Sequence, residues 1–221
     1  MIRIVGDVHG KYEQYKAIVS HSDYSVQIGD FGFQREWNYL HYSSLSSDNH
    51  KVIAGNHDDY NIAPNTNHYL GDYGEYTLNG VKFFFVRGGI SIDRVHRIVQ
   101  SSIDGVKTYW SQEELNLVEM MDCLRVYQET KPDIVLTHVP CSTFSKVMSP
   151  DDSILQRFRF HEGFKENHQL LGDEMLKLHE PKLWISGHFH QSYCWKKGRT
   201  TFIGLDELEY VDLNSEGHLS R

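Results

Sequence analysis

The chain has 221 residues, 39% hydrophobic and 24% charged, with a formal net charge of −8. That balance fits one globular domain with a full core and excludes a disordered or low-complexity chain. No apolar run approaches the ~20 residues of a membrane helix, and the acidic charge argues against a broad electrostatic grip on nucleic acid while leaving a local basic groove open.

Residues 2–5 form a β-branched strand at the start of the chain, unlike the charged-then-apolar leader of a secreted protein. Cys123, Cys141 and Cys194 are odd in number and lack Cys-x-x-Cys spacing, which points to reduced thiols in a cytoplasm. The first strand ends in Gly6-Asp7-Val8-His9-Gly10. A helix is expected over about 11–19, with Tyr12, Tyr15 and Val19 at helical spacing. A second strand, 24–28, ends in Gly29-Asp30-Phe31-Gly32-Phe33. A helix over about 34–45 and a third strand at 51–54 follow, the latter ending in Gly55-Asn56-His57-Asp58. Strand, polar loop and helix in alternation imply a parallel sheet covered by helices, with the polar loops at the carboxyl ends of the strands.

After Asp58 the rhythm breaks. Asn79-Gly80 between two strand-like runs, 75–78 and 81–86, is a strong hairpin signal, and adds antiparallel strands to a second sheet packed on the first. Residues 87–109 read as loop. Ser111-Gln112-Glu113-Glu114 has the form of a capping box, opening a helix to about residue 129 with Leu117, Met120, Met121 and Leu124 on its core face. Pro132 closes it, and strand 133–136 ends in Thr137-His138. Residues 141–168 are polar and rich in turn formers, a length of irregular chain that is usually functional; they are read as a cap or substrate loop on a single domain spanning 1–221. A helix over about 169–179 precedes strand 183–185, which ends in Gly187-His188-Phe189-His190. A hairpin around Lys196-Lys197-Gly198, strands 200–203 and 210–213, and a frayed last eight residues complete the chain.

Fourteen histidines decide nothing by number; position does. Five strand ends carry metal-competent side chains: Asp7 with His9, Asp30, Asn56, His138, and His188 with His190. Carboxylate and amide oxygens mixed with imidazoles suit first-row ions such as Mn²⁺, Fe or Zn²⁺ better than Ca²⁺. Without a thiolate in the set, a structural zinc knuckle is disfavoured. Seven ligands exceed what one catalytic ion with an open position needs and suit two ions sharing a carboxylate.

In this order Asp-x-His, Gly-Asp, Gly-Asn-His-Asp, Thr-His and Gly-His-x-His resemble the calcineurin-like metallophosphoesterase superfamily, from Gly6 to His190. The resemblance implies an α/β fold of two packed mixed β-sheets flanked by helices. It also implies one metal held by Asp7, His9, Asp30 and His190 and a second by Asp30, Asn56, His138 and His188, with Asp30 bridging. Two divalent cations, Mn²⁺ foremost with Fe, Zn²⁺ or Ni²⁺ as alternatives, would lower the pKa of a shared water for in-line attack on phosphorus. His57, beside ligand Asn56, would act as general acid or electrostatic donor to the leaving oxygen, with Asp58 orienting its ring.

The expected activity is hydrolysis of a small phosphorylated substrate, monoester or diester. The superfamily's Ser/Thr protein phosphatases carry Gly-Asp-x-x-Asp-Arg-Gly where this chain has Gly29-Asp30-Phe31-Gly32-Phe33-Gln34-Arg35; that reading would need Asp58 and Arg35 as replacements. A nuclease of the same superfamily is a further alternative, and a non-catalytic scaffold is the alternative of another class. Arg94 and Arg97 are candidate phosphate contacts through their planar guanidinium groups, as are Arg157, Arg159 and His161 in the long loop. The remaining histidines are expected to be mostly solvated.

Overall fold

The computed structural model describes residues 1–33, 44–145, 152–161 and 163–220. The helix expected over 34–45 falls almost wholly outside that set, as does Arg35.

A four-stranded sheet has the order β10-β1-β2-β3. Strands β1 (Ile2–Val5), β2 (Tyr24–Ile28) and β3 (His50–Ile53) run parallel, and β10 (Tyr210–Leu213) closes the edge antiparallel to β1. Helix α1 (Tyr12–Val19) makes the β1–β2 crossover and buries Tyr12, Tyr15 and Val19, as its spacing predicts. A six-stranded sheet has the order β4-β5-β6-β7-β9-β8. Here β5 (Val81–Val86), β6 (Ile134–Thr137), β7 (Leu183–Ser186) and β9 (Thr200–Gly204) are parallel. Hairpin partners β4 (Tyr73–Leu78) and β8 (Tyr193–Lys197) flank them antiparallel. The hairpin at Asn79-Gly80 therefore does not stand apart: it edges a second sheet that is itself mostly parallel.

The two sheets meet face to face. Ile4, Val26, Ile28 and Ile53 from the first pack against Phe83, Phe85, Leu136, Ile185 and Ile203 from the second. Because side chains alternate along a strand, neighbours Phe84, Val86, Val135, Trp184 and Phe202 point the other way. They bury against Cys123 and Tyr127 of helix α3 (Leu117–Thr130) and Leu171 and Met175 of helix α6 (Asn167–Leu178). Burial on both faces explains why these strands read as continuous apolar runs.

Four expectations change. Residues 94–104 form helix α2 rather than loop, ended by Gly105 in the left-handed region; it has no buried residue, so it left no core-facing stripe to read. The capping box belongs to Asn116, not Ser111. The Asn116 side chain accepts from the backbone N–H groups of Val118 and Glu119, and Glu119 Oε2 accepts from Asn116 N–H at 2.7 Å; Ser111–Glu113 is a separate 3₁₀ turn. With that shift in start, Leu117 and Met121 point to solvent and the buried face is Cys123 and Tyr127. The long loop contains two short helices, α4 (Ser142–Ser145) and α5 (Asp152–Arg157). The C-terminal residues are tied back too, with Ser220 N–H donating to Asp212 O and Asn214 N–H to His218 O.

Asn116→Ala should lower unfolding stability by about 1 kcal/mol through loss of the cap, and Ser111→Ala by less than about half that. Urea denaturation of both variants checks the order; a larger loss for Ser111→Ala would contradict this helix start.

Candidate metal centre

In parallel sheets the loops at the carboxyl strand ends are the natural place for a site. Here the ends of β1, β2 and β3 meet those of β6 and β7 across the sandwich. Asp7, Asp30, Asn56 and His138 are buried; His188 is half-buried and His190 exposed at the rim. All seven candidate ligands converge.

They form two adjoining groups. On one side His190 Nε2 lies 2.9 Å from Asp7 Oδ2 and 2.9 Å from His9 Nε2, and His9 Nε2 lies 3.8 Å from Asp30 Oδ2. On the other, Asn56 Oδ1 lies 3.1 Å from both His138 Nε2 and His188 Nδ1, and His138 Nε2 lies 3.5 Å from Asp30 Oδ1. The two oxygens of Asp30 thus face different groups. His9, Asp30, His188 and His190 all have positive φ, between 48° and 72°. Such a conformation costs non-glycine residues on the order of 1 kcal/mol each and concentrates at functional sites. Glycines allow the crowding: a Cβ on Gly55 would collide with the Asp30 carboxylate and come within 2.7 Å of His138 Nε2.

Asp58 does not orient His57. Fully buried, it accepts four backbone N–H groups: Phe31 (3.1 Å), Gly32 (2.7 Å), Phe33 (3.0 Å) and Gly55 (2.8 Å). It staples the β2 loop to the β3 loop and so fixes Asp30 beside Asn56. The His57 ring meets His9 edge-on and also Arg97, whose Nη2 lies 2.6 Å from His57 Nδ1 while its Nε donates to Asp93 at 2.6 Å and its Nη1 to Thr108 O at 3.2 Å. Burial above all brings the His57 pKa down to about 4, against the pull of Asp30 and with smaller help from Arg97 and His9. The imidazole is neutral at pH 7.

Arg97 is therefore at the site, but its guanidinium is committed to neighbours. Arg94 is not at the site; it pairs with Glu114 at 3.6 Å on the surface. Arg157 lies over the Phe158 ring, and it is apolar side chains of that segment, Ile154, Leu155, Phe158 and Phe164, that line the cleft beside the centre. Arg157, Arg159 and His161 are exposed and not among the lining residues. Three histidines expected at the surface, His50, His68 and His168, are buried.

Three supporting residues carried no sequence signal. Glu166, buried ahead of α6, accepts from Ile90 N–H at 2.7 Å and lies 3.1 Å from His188 Nε2. That contact turns His188 Nδ1 toward Asn56; burial would lower the His188 pKa, but Glu166, joined by Asp30 and Asp7, lifts it to about 9. Ser91 Oγ donates to Glu113 Oε2 at 2.7 Å and accepts from Asn56 Nδ2 at 3.2 Å. The amide oxygen of Asn56 is thereby left facing the two imidazoles. A buried acid and a surface acid look alike in sequence, and Glu113 stands in a run with the form of a capping box.

The donor set fits divalent cations. Asp7 and Asp30 are buried carboxylates that pair with no Lys or Arg among the described residues, and the side-chain neighbour of Asp7 Oδ2 is a candidate ligand, His190. Burial would raise Asp30, yet the ring of His57, His138 and His9 holds it below the usual carboxylate range. Three overlapping sets of His and Asp atoms lie within metal-holding distance: Asp7, His9 and His190; His9, Asp30 and His57; Asp7, Asp30 and His138. Oxygen and imidazole donors without thiolate suit first-row divalent ions.

The family model described as calcineurin-like phosphoesterase matches residues 1–192. The chain belongs to that family. As a calcineurin-like phosphoesterase it is 25% identical to a lariat debranching enzyme of Entamoeba histolytica, over 95% of this chain and 69% of that one. Its fold is similar to that of a dimetal phosphatase from Danio rerio (TM-score 0.52, 12% identity, 94% of this chain and 87% of that one). It is also similar to a putative 5'-nucleotidase from Staphylococcus aureus (TM-score 0.52, 14% identity, 99% and 52%). No helix among the described residues is long and apolar enough to cross a membrane.

Behind this phosphoesterase centre, burial and the charge of Arg87 outweigh Glu166 and bring the His168 pKa down to about 4. Folded His168 binds a proton less readily than the unfolded residue, near 6.5, so stability falls as pH drops from about 6.5 toward 4. His168→Gln should remove a pH-dependent loss on the order of 2–3 kcal/mol between pH 7 and pH 4.5. Urea unfolding at both pH values reads it; an identical pH dependence in variant and wild type would contradict the burial argument.

Proposed function

We propose that the chain is a binuclear metal-dependent phosphoesterase that hydrolyses monoesters or diesters of a small phosphorylated molecule. The observation that carries this is Asp30, whose Oδ2 is 3.8 Å from His9 Nε2 and whose Oδ1 is 3.5 Å from His138 Nε2. One carboxylate serving two donor groups suits two cations. Asp7, His9, Asp30 and His190 would hold one; Asp30, Asn56, His138 and His188 the other. Mn²⁺ is the first choice, and Fe, Zn²⁺ or Ni²⁺ suit the same donors. When bound, the ions would supply Lewis acidity toward phosphoryl oxygens and a nucleophile from water near neutral pH.

The chain's own residues do the positioning. Arg97 Nη2 lies 2.6 Å from His57 Nδ1 and 3.2 Å from Nε2; since a guanidinium only donates, the shorter contact favours Nδ1 as the acceptor, with the ring proton on Nε2. His57 Nε2 lies 3.8 Å from Asp30 Oδ2 and borders the cleft. There it would donate to the leaving oxygen as a neutral imidazole, stabilising developing charge. Arg97 holds that tautomer and orientation; Asp58 and Glu166 hold the ligands. The scaffold alternative has little support, since each ligand position and His57 retain their chemistry. A protein phosphatase would need Asp58 to support His57, and Asp58 is committed to backbone. Free cysteines fit a cytoplasmic setting.

Turnover of p-nitrophenyl phosphate or its bis ester in Mn²⁺ tests the reading; no turnover of either, with metal shown to be bound, would sink it. His57→Ala should slow hydrolysis of substrates with poor leaving groups by about 10²-fold or more while metal content stays intact. Arg97→Ala should share that leaving-group dependence, and the double variant should be no slower than His57→Ala. Full activity of His57→Ala would remove its catalytic role.

A further inference from the structure

Beside the metal ligands lies a cleft of about 460 Å³ that phosphate alone would leave largely empty. Its polar lining includes His57, Arg97 and His188. Its apolar lining has Phe158 and Phe164 contributed by the segment before α6, Phe189 by the loop that carries His188 and His190, and Ile90 and Ile92 by the loop after β5. Phe158, Phe164 and Phe189 are each only half-buried, so ring surface remains free for a ligand. Pockets of this size with aromatic walls and a few polar groups suit a ligand of mononucleotide dimensions.

Resting on the phosphoesterase reading, we infer that this annex binds a planar heteroaromatic ring, so that the preferred substrate is a nucleotide-like phosphoester with phosphate at the metal centre and its base among Phe158, Phe164 and Phe189. Two observations favour a base over an acyl chain. The apolar lining is interrupted by Gln169, whose Oε1 accepts from Glu166 N–H at 3.1 Å while its NH2 group is left to meet a polar ring edge, and by Gln191, exposed at the rim. Three phenyl rings from two different segments offer faces on which any base can stack, an attraction that does not depend on hydrogen-bond readout.

Among the described residues that line the cleft the one Lys or Arg is Arg97, which points the same way. Arg97 already serves Asp93, Thr108 and His57. The chain is acidic overall. Beyond the cations at the centre, affinity must come from ring burial rather than from a basic groove, which favours a small nucleotide over a polyanion.

Adenosine 5′-monophosphate and ribose 5-phosphate differ only by the base and make the direct comparison. In Mn²⁺, kcat/KM for the nucleotide should exceed that for the sugar phosphate by about tenfold or more, and Phe158→Ala and Phe164→Ala should each collapse that ratio, mainly through KM. Phe158→Tyr, which keeps the ring, should preserve the ratio and guards against a folding artefact. Calorimetric binding of both compounds runs alongside. If neither these compounds nor the two p-nitrophenyl esters are hydrolysed with metal bound, but the nucleotide binds at least tenfold tighter, the phosphoesterase reading fails while the annex stands. Equal use and equal binding of the two compounds, or decyl phosphate hydrolysed in preference to the nucleotide, would overturn the annex and leave the phosphoesterase reading intact.

Discussion

Two carboxylates, Asp7 and Asp30, are buried with no Lys or Arg partner among the described residues. Burying unpaired charge is among the largest costs a fold can carry, and natural proteins tolerate it only where something compensates. Here the compensation on offer is a shell of imidazoles, which share the charge in the protein alone and present lone pairs to a cation. The rest of the architecture follows from keeping that shell closed. Strand ends from both sheets must meet across the sandwich, and glycines must stand where a Cβ would strike Asp7, Asp30 or His138. Four ligands must also accept left-handed backbone.

That strain is held by a rigid surround. Asp58 ties four backbone N–H groups from two loops. Glu166 ties His188 to the loop after β5, and Glu113 ties Asn56 to the same loop through Ser91. Asn56, His138 and His188 are therefore each fixed on the side away from the centre, since His138 Nδ1 lies 3.0 Å from Ile28 O. Arg97 performs the same service for His57. A site built this way loses precision from changes that never touch a ligand, as outer partners of ligating histidines generally do.

Much of this was legible in sequence. Apolar strands ending in Asp, Asn and His gave the two sheets, the meeting place of their carboxyl ends and all seven converging side chains, because alternating strand and helix leaves few topologies. Sequence failed where burial, rather than residue type, decides the role. Helix α2 was invisible because Val95, Ile98 and Val99 face solvent. Adjacency in sequence points Asp58 at the neighbouring side chain, whereas its partners are N–H groups 25 to 27 positions away and one nearby, and Arg94 and Arg97, three residues apart, met opposite fates. Glu113, Glu166 and His168 owe their importance to being buried, which no local pattern announces.

The central claim is that one aspartate lies between two cations. Equilibrium dialysis of the purified chain against Mn²⁺, followed by elemental analysis of protein with measured phosphoesterase activity, tests it most directly. Two ions per chain in wild type, with loss of both in Asp30→Asn, is the result this account requires. A single ion or none in fully active protein would contradict it.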